Sequence, residues 1–334
     1  MSNPLRIAIA GAGYIASVHA RCLRARPDTA IVGVCDLDAA KAAAFIAQHA
    51  PGATPYSGFA AMLDGCKPDA VYLALPPFAN DGQAELAAAR GIHLFLEKPI
   101  ALTSSRASAI AAAVRRAGVV SQVGHHMRFG AAVQRLRAAI GDGSAGRVTL
   151  FQAAYRCNSL HGPWWRDRTK SGGQVLEQVI HLYDLARFLC GEAAQAWGLQ
   201  ANLCHAAVEG YTVEDTSVGG LRFAGGALAS ITGSNCAVPM EWSNPFSVVC
   251  ERLTATFADA NHAEFTWTAG TAVRRETIAN EVDLYAAETG EFLDAIRNGG
   301  RTTTPAEEGA RSVALVEAVC ASAAAGGIPR NLGA

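Results

Sequence analysis

The sequence predicts an α/β protein of two domains, a doubly wound parallel sheet followed by an α+β region with a large open sheet. At 334 residues, the chain exceeds one ordinary domain. Strands alternate with helices as far as about Gly124, a pattern typical of a parallel sheet. Beyond that point several strand-like runs follow one another, which favours a mostly antiparallel sheet. We therefore predict domains over residues 1–124 and 125–334.

The first element is a buried strand over Arg6–Ala10, which runs into a glycine turn and then into a helix. In this G-x-G-x-x-A pattern, Gly11 permits a tight turn and Gly13 leaves room for a pyrophosphate against the backbone. The helix opens at Tyr14 and Ile15 and directs its N–H groups toward those phosphates. The alternative is an ordinary tight turn between a strand and a helix.

A second strand, Ile31–Cys35, ends in Asp36, which lies 20 residues after Ala16. A carboxylate at this spacing is expected to bind the adenosine ribose hydroxyls of a dinucleotide. It would repel a 2′-phosphate, and the neighbouring Leu37 supplies no guanidinium for one. The motif therefore predicts a dinucleotide site that prefers NAD over NADP.

The remaining elements of the first domain continue the alternation. Their predicted bounds are helices Ala39–His49, Phe59–Leu63, Asp81–Arg90 and Ser104–Ala117, and strands Asp69–Leu75, Ile92–Leu96 and Val119–Val123. Ligands of such sheets bind beyond the carboxyl ends of the strands. Asp36, Pro76, Glu97 and Lys98 all fall there, so we predict that they bind the cofactor together with the glycine turn.

The tripeptide Glu97-Lys98-Pro99 stands at one of these strand ends. The Lys98 ammonium can donate hydrogen bonds to a substrate hydroxyl and stabilise an alkoxide as a hydride leaves its carbon. Pro99 permits a cis bond that would hold Lys98 in an unusual pose. A surface salt bridge beside a strand-end proline explains the same residues, and the spacing alone does not decide between the two.

The second domain is predicted to carry one long helix, Gly173–Cys190, across a mostly antiparallel sheet. Its other predicted elements are helices Ala131–Ile140, Leu284–Arg297 and Ala306–Ala323, and strands Arg147–Tyr155, Ala194–Cys204, Thr216–Phe223, Ala227–Gly233, Phe246–Phe257 and Ala263–Thr268. Ser171 and Gln174 fit a capping box at the start of the long helix. Gly191 fits its end.

A polar stripe runs along this helix when it is drawn with ideal geometry. Its members are Gln174, Glu177, Gln178, His181 and Asp184. Glu177 and His181 are neighbours four residues apart, so the carboxylate can fix the tautomer of the imidazole and raise its basicity for proton transfer. A solvated face is the alternative, but such faces usually carry Lys or Arg, which this stripe lacks. A metal site is not expected, because no third ligand is evident.

The loop Asn158–Arg168 combines aromatic and charged side chains, which suits a polar ring-shaped ligand. We include Trp165 and Arg166 among the predicted substrate-binding residues, together with Arg128 from the segment before it. The alternative for all three is a structural anchor. The adjacent His125 and His126 look metal-like, but consecutive side chains point apart, and we assign them no role.

The composition excludes several classes of protein. Lys and Arg total 28 against 29 Asp and Glu, with no basic run, which argues against binding nucleic acid. No apolar run reaches 18 residues, so no membrane-spanning helix is expected. The nine cysteines are scattered without a C-x-x-C pair, and no secretory signal is recognised, so we expect a reducing, cytoplasmic environment.

Together these motifs resemble the glucose–fructose oxidoreductase, inositol dehydrogenase and MocA family over essentially the whole chain. The matching segments are Gly11–Ala16, Glu97–Pro99, Ser171–Gly173 with the stripe after it, Gly225–Leu228 and Tyr285–Arg297. The chain departs from the family in having Glu177 where Asp is common, Ser171 in place of a glycine, and Phe78–Asn80 where a His often follows the proline.

The resemblance implies a Rossmann domain that binds NAD and an open-sheet domain that binds substrate and builds a homodimer or homotetramer. It implies Lys98, Glu177 and His181 as catalytic residues and a sugar, cyclitol or related polyol as substrate. In the mechanism we expect, His181 takes the hydroxyl proton, Glu177 supports His181, and Lys98 stabilises the oxyanion. Two alternatives are an NAD-using glycoside hydrolase and a non-catalytic dinucleotide-binding sensor.

Overall fold

A computed structural model describes residues 3–270 and 272–333 of the chain. Its strands, in chain order, are β1 (Leu5–Ala10), β2 (Thr29–Cys35), β3 (Thr54–Tyr56), β4 (Ala70–Leu73), β5 (His93–Leu96), β6 (Ser121–Val123), β7 (Val148–Arg156), β8 (Ala193–Ala201), β9 (Thr216–Phe223), β10 (Leu228–Ser234), β11 (Phe246–Cys250), β12 (Leu253–Phe257), β13 (Ala263–Trp267), β14 (Arg274–Ile278) and β15 (Arg330–Asn331).

The α-helices of the described chain are α1 (Tyr14–Arg24), α2 (Ala39–His49), α3 (Phe59–Cys66), α4 (Gln83–Ala89), α5 (Ser104–Ala117), α6 (Ala131–Gly141), α7 (Pro163–Arg166), α8 (Arg168–Ser171), α9 (Ile180–Cys190), α10 (Leu284–Asn298) and α11 (Ala306–Ala324). A π-helical turn, Val175–Val179, precedes α9. None of the helices in the part of the chain that the structure describes combines the length and apolarity needed to cross a membrane.

The chain forms two compact units. The first runs to Gly124 and takes up Asp283–Ala310, and the second comprises His125–Val282 and the chain from Arg311 onward. The sequence-based division also changes domain at Gly124 but leaves α10 in the second domain. In the structure α10 packs against α1, because Phe292 and Leu293 enter the core of the first unit.

The first unit is a six-stranded parallel sheet in the order β3-β2-β1-β4-β5-β6. The prediction of a doubly wound Rossmann sheet is confirmed. The strand order reverses between β1 and β4, and in open parallel sheets ligands bind beyond the carboxyl ends of strands at this point. The first two predicted strands were one or two residues too short and the last three were too long, and the short strand β3 was missed because it holds only three residues.

The second unit is built on a nine-stranded sheet in the order β14-β13-β12-β11-β7-β10-β9-β8-β15. All of its pairs are antiparallel except that of β7 with β10, so the predicted mostly antiparallel sheet is confirmed. The helix that carries the polar stripe packs on this sheet where the strands have glycine. A side chain at Gly219 would collide with the Tyr183 hydroxyl, and one at Gly233 with Val179.

The prediction of one long strand over Phe246–Phe257 is wrong, because the chain folds there into the hairpin β11–β12. The turn contains Glu251 and Arg252 and no glycine, proline or asparagine, the residues that mark tight turns. Tertiary contacts hold it instead, since the N–H of Glu251 donates to the Arg147 carbonyl and that of Arg252 to the Ala145 carbonyl, at 3.0 Å each.

The predicted capping box at Ser171 is also wrong. Ser171 ends the short helix α8, and Gly172 and Gly173 then take positive φ values of 80° and 100°. The chain re-enters helical geometry through the π-helical turn rather than through a regular first turn. A carboxylate distant in sequence, Glu214, accepts a hydrogen bond from the Val175 N–H at 2.7 Å, the role that Ser171 was expected to fill.

Candidate functional site

The glycine turn after β1 has the geometry that a dinucleotide requires. Gly11 has φ +92°, and a side chain there would collide with the Ala74 carbonyl, so the turn demands glycine. A side chain at Gly13 would enter open space, which leaves the backbone accessible to a phosphate. No side chain of the described chain caps the start of α1, so its first N–H groups remain available to an anion.

Asp36 is a rigidly held carboxylate at the end of β2. One oxygen accepts the N–H of Ala12 and the other that of Asp38, both at 3.0 Å, and the Lys41 ammonium lies 3.5 Å away. Burial alone would raise the pKa of Asp36, but these hydrogen bonds and the charge of Lys41 outweigh burial and hold the pKa below its usual value. The group is therefore ionised at neutral pH, as ribose binding requires.

The other cofactor-binding residues predicted in this unit lie along the same edge. Tyr14 is 85% exposed, Ile15 is half-buried at the start of α1, and Pro76 follows β4. These positions fit NAD, because an anion-ready helix terminus and a fixed ribose acceptor occur together at the point where the strand order reverses.

Glu97 and Lys98 leave β5 at this edge, and the Lys98–Pro99 peptide is cis. Glu97 is buried, and its carboxylate accepts the N–H of Lys98 at 3.1 Å while the other oxygen lies 2.7 Å from Nε2 of His19. A side chain at Gly124 would press on that carboxylate. Glu97 thus orients the motif from within the protein, whereas Lys98 is half-buried at the rim.

Behind this motif lies a buried polar group that the sequence analysis missed. His19, from α1, packs its ring 4.7 Å from that of Phe95. Both carboxylate oxygens of Glu288, on α10, are buried without a hydrogen-bond partner among the described residues. Burial, together with the negative charge of Glu97, raises the pKa of Glu288 well above its usual value, which favours its protonated form.

In the second unit, the helix start is organised by Glu214. Besides accepting the Val175 N–H, its buried carboxylate forms an ion pair with Arg168. A side chain at Gly173 would collide with the same carboxylate. Burial raises the pKa of Glu214, although Arg168 and the Val175 N–H oppose this. One carboxylate therefore fixes both the end of the Asn158–Arg168 loop and the start of the helix.

The polar stripe is buried rather than solvated, apart from the half-buried Glu177. The Trp165 indole donates to a Glu177 oxygen at 2.8 Å. The Gln178 amide lies 3.1 Å from a ring nitrogen of His161. The ring of His181 stands edge-on to that of His126, 4.6 Å away. The helix and the Asn158–Arg168 loop therefore form one polar site.

Arg128 and Arg166, two of the predicted substrate-binding residues, both make hydrogen bonds within the protein. Arg128 is buried and donates two hydrogen bonds of 2.7 Å to Asp184, the last residue of the stripe. Burial would raise the pKa of Asp184, but the charges of Arg128, His125 and Arg187 overcome it and hold the pKa far below the usual range. The Ser312 hydroxyl donates to the same carboxylate at 2.8 Å.

Arg166 also makes structural contacts. Its guanidinium donates to the carbonyl of Leu160 at 2.8 Å and to that of His161 at 3.1 Å, which closes the loop on itself. Trp165 is buried and packs with Tyr211 and Val213. Its anchoring role and its contact with Glu177 are compatible, because the ring is buried while the indole N–H faces the stripe.

Sequence reasoning missed several residues that organise these sites, namely His19, His126, His161, Glu214 and Glu288. His19 has a local signal, since it lies three residues after Ala16 and therefore on the same face of α1, and His161 lies within the Asn158–Arg168 loop that the sequence singles out. The other four reach these positions through contacts between segments far apart in the chain.

Comparison with known proteins finds two matching family models. Residues 5–125 match the model described as an oxidoreductase family with an NAD-binding Rossmann fold. Residues 133–256 match the model of the GFO/IDH/MocA C-terminal domain.

Among curated relatives, D-glucoside 3-dehydrogenase of Escherichia coli (strain K12) is 32% identical over 247 residues, covering 68% of this chain and 69% of the relative. Inositol 2-dehydrogenase of Rhizobium meliloti (strain 1021) is 27% identical over 337 residues, covering 96% of this chain and 97% of the relative. Among solved structures, a levoglucosan dehydrogenase in complex with NADH and levoglucosan has a TM-score of 0.92 at 19% identity, over 99% of this chain and all of the other. At that identity the likeness shows the fold.

Proposed function

Since the chain belongs to the GFO/IDH/MocA family of NAD-binding oxidoreductases, we propose that it transfers a hydride between NAD and a secondary alcohol or ketone of a sugar, cyclitol or related polyol. One observation supports this above the others. Lys98 stands at the same carboxyl edge of the parallel sheet as the glycine turn and Asp36. A cation at that edge suits an oxygen that gains charge beside the cofactor.

In this proposal NAD supplies the hydride acceptor, and the chain's own side chains manage the proton and the charge. The Lys98 ammonium donates to the substrate oxygen and stabilises it as an alkoxide. His181 accepts the hydroxyl proton, and Glu177 supports the charged imidazole. The Trp165 indole, which donates to Glu177 at 2.8 Å, holds that carboxylate in one orientation. Arg128 and Arg166 act as supports of the site rather than as substrate ligands.

The substrate class is supported by the relatives, two of which are named for oxidising a glucoside and an inositol. The half-buried Glu177 and the polar stripe around it add hydrogen-bonding groups, which suit a hydroxylated ring. The departure of Glu177 from the commoner Asp lengthens the acid by one methylene, so we expect its preferred substrate to differ from those of relatives that carry Asp.

A direct test is a screen of purified protein for NAD reduction with glucosides, inositols, anhydrosugars and sugar acids, with absorbance at the nicotinamide band as the signal. Turnover of one class that is abolished in Lys98→Ala supports the proposal. Cleavage of a chromogenic glycoside without net absorbance change would assign a hydrolase instead. NADH binding by calorimetry without turnover of any compound would favour a sensor.

We further propose that the protein is a homodimer or homotetramer that works in the cytoplasm. Trp197, Leu199 and Val218 are exposed on neighbouring strands of the open sheet, an apolar patch suited to a second copy. The nine cysteines are free, which suits a reducing compartment. Sedimentation of the wild type and of Leu199→Lys tests the assembly, since a monomeric wild type would contradict it.

A further inference from the structure

A pair of thiols stands apart from the residues assigned above. Cys204 follows β8 and Cys236 follows β10, and their sulfur atoms and a carboxylate oxygen of Asp215 all lie within 4.8 Å of one another. Cys204 is exposed and Cys236 is half-buried. We propose that Cys204 and Cys236 are an oxidisable dithiol that closes to a reversible disulfide and thereby alters the Asn158–Arg168 loop.

The backbone brings the two cysteines together independently of their sulfur atoms. The Cys204 N–H donates to the Asp215 carboxylate at 2.7 Å, and the Asn235 N–H donates to the Asp215 carbonyl at 2.7 Å. The His205 ring also lies 3.0 Å from the Asn235 carbonyl. Both cysteine segments are therefore docked on one residue, so the thiols need little further movement to react.

A metal ion is a poorer occupant of this cluster, because the carboxylate is already committed. Asp215 accepts the N–H groups of Leu203, Cys204 and His205, and the hydroxyl of Thr216. A structural zinc site needs four ligands, and two thiols with one committed carboxylate do not supply them.

A peroxide serves as the two-electron oxidant. The exposed Cys204 sulfur attacks hydrogen peroxide, the O–O bond breaks, and Cys204 becomes a sulfenic acid with release of one water. The Cys236 sulfur then displaces the hydroxyl from Cys204, its own proton leaving with that hydroxyl as a second water. A small dithiol reverses the reaction by thiol–disulfide exchange and is itself oxidised.

Asn235 connects the two cysteines to the Asn158–Arg168 loop. Its buried side chain accepts the Ser159 N–H at 2.9 Å and donates to the Ser159 carbonyl at 2.7 Å. It also donates to the Tyr211 hydroxyl at 2.9 Å, and Tyr211 packs with Trp165. Closing the disulfide draws the residue next to Asn235 toward Cys204. The resulting change in substrate affinity rests on the proposed function, whereas disulfide formation does not.

The first experiment needs no activity. Full-length protein is treated with hydrogen peroxide, alkylated, digested and mapped by mass spectrometry. We expect a linked peptide pair containing Cys204 and Cys236, lost in Cys204→Ser and in Cys236→Ser and removed by dithiothreitol. Oxidation confined to other cysteines, or a link between two chains on a non-reducing gel, would overturn the proposal. So would stoichiometric binding of zinc alone to the reduced protein that is lost in Cys204→Ser.

The second experiment compares oxidised and reduced protein in steady-state kinetics. We expect the KM for the sugar or polyol to change at least about two-fold while the NADH affinity stays constant, with no response in Cys204→Ser. An unchanged KM in fully linked protein would overturn the effect on the loop. If the wild type turns over no polyol, the proposed function fails, and the peptide map still decides whether the disulfide forms.

Discussion

The two candidate sites differ in the kind of group that holds them in place. In the first unit, main-chain groups do this, since Asp36 accepts the N–H groups of Ala12 and Asp38, and Gly11 lies against the Ala74 carbonyl. In the second, Glu177 depends on Trp165, and the helix start depends on Glu214, 39 residues after Val175. The turn that suits a dinucleotide is thus held through the main chain, whereas the polar site of the second unit is held by side chains from several segments.

The sharpest way to break this comparison is to remove one reacting group from each unit. Lys98→Ala and His181→Ala should each lower kcat by about 10²–10⁴-fold, because each deletes a group that acts on the proton or the charge in the transition state. NADH affinity of His181→Ala should stay at the wild-type level. Steady-state kinetics and calorimetry measure the two effects, with thermal melting as the control for folding. Wild-type kcat in either variant would refute that assignment.

A second test compares the contributions to stability of Arg128 and Arg166, which the sequence analysis assigns to the same substrate-binding set. Arg128→Ala should lower the free energy of unfolding by about 3–5 kcal/mol, because it leaves Asp184 buried without its principal partner. Arg166→Ala removes half-buried hydrogen bonds to carbonyls and should lower it by about 1 kcal/mol. Urea unfolding compares the two. A stable Arg128→Ala variant with a raised KM would show that Arg128 binds substrate after all.

A third test uses the two glycines of the first motif as a matched pair. Gly11→Ala should destabilise the protein by about 1–3 kcal/mol, because its side chain collides with the Ala74 carbonyl at a positive φ. Gly13→Ala should melt like the wild type but bind NADH about ten-fold more weakly, since its methyl group occupies the phosphate space. Calorimetry and melting curves separate the effects, and unchanged NADH affinity in Gly13→Ala would contradict the phosphate assignment.

The smallest expected effect concerns the buried acid behind Glu97. Because folding raises the pKa of Glu288 well above the value of about 4.3 in the unfolded chain, the contribution of this group to stability falls as the pH rises above that value. Glu288→Gln has no titrating carboxyl group, so its free energy of unfolding should rise relative to that of the wild type by up to ~1.4 kcal/mol per pH unit above about pH 5. Urea unfolding at two pH values tests this, and parallel pH profiles would show that Glu288 is ionised.

The sequence predicted most of the first unit because its signals are local. The Ala39–His49 and Ser104–Ala117 helices match the structure in both bounds, and the glycine turn has its expected geometry. In the second unit, Glu177 and His181 could be singled out by residue type and spacing. The π-helical turn that contains Glu177 could not be predicted, because it depends on Glu214 and on two glycines with positive φ.

The hairpin at Glu251 shows the same limit. Its turn has no sequence signature, because contacts to the 145–147 segment replace the usual turn residues. Likewise, the burial of the polar stripe comes from partners more than ten residues away, such as Trp165 and Arg128. Periodicity identified the stripe but carried no information on what would cover it.

Glu214 also sets a condition for redesigning this enzyme. A designer who grafts the Asn158–Arg168 loop of another dehydrogenase to alter substrate preference would remove Arg168, the ion-pair partner of Glu214. The buried Glu214 carboxylate would then keep only its hydrogen bond from the Val175 N–H, and the start of the helix that carries His181 would be less firmly held. Arg168, Gly173 and Glu214 should therefore be exchanged as a single cassette, even though 46 residues separate the first from the last.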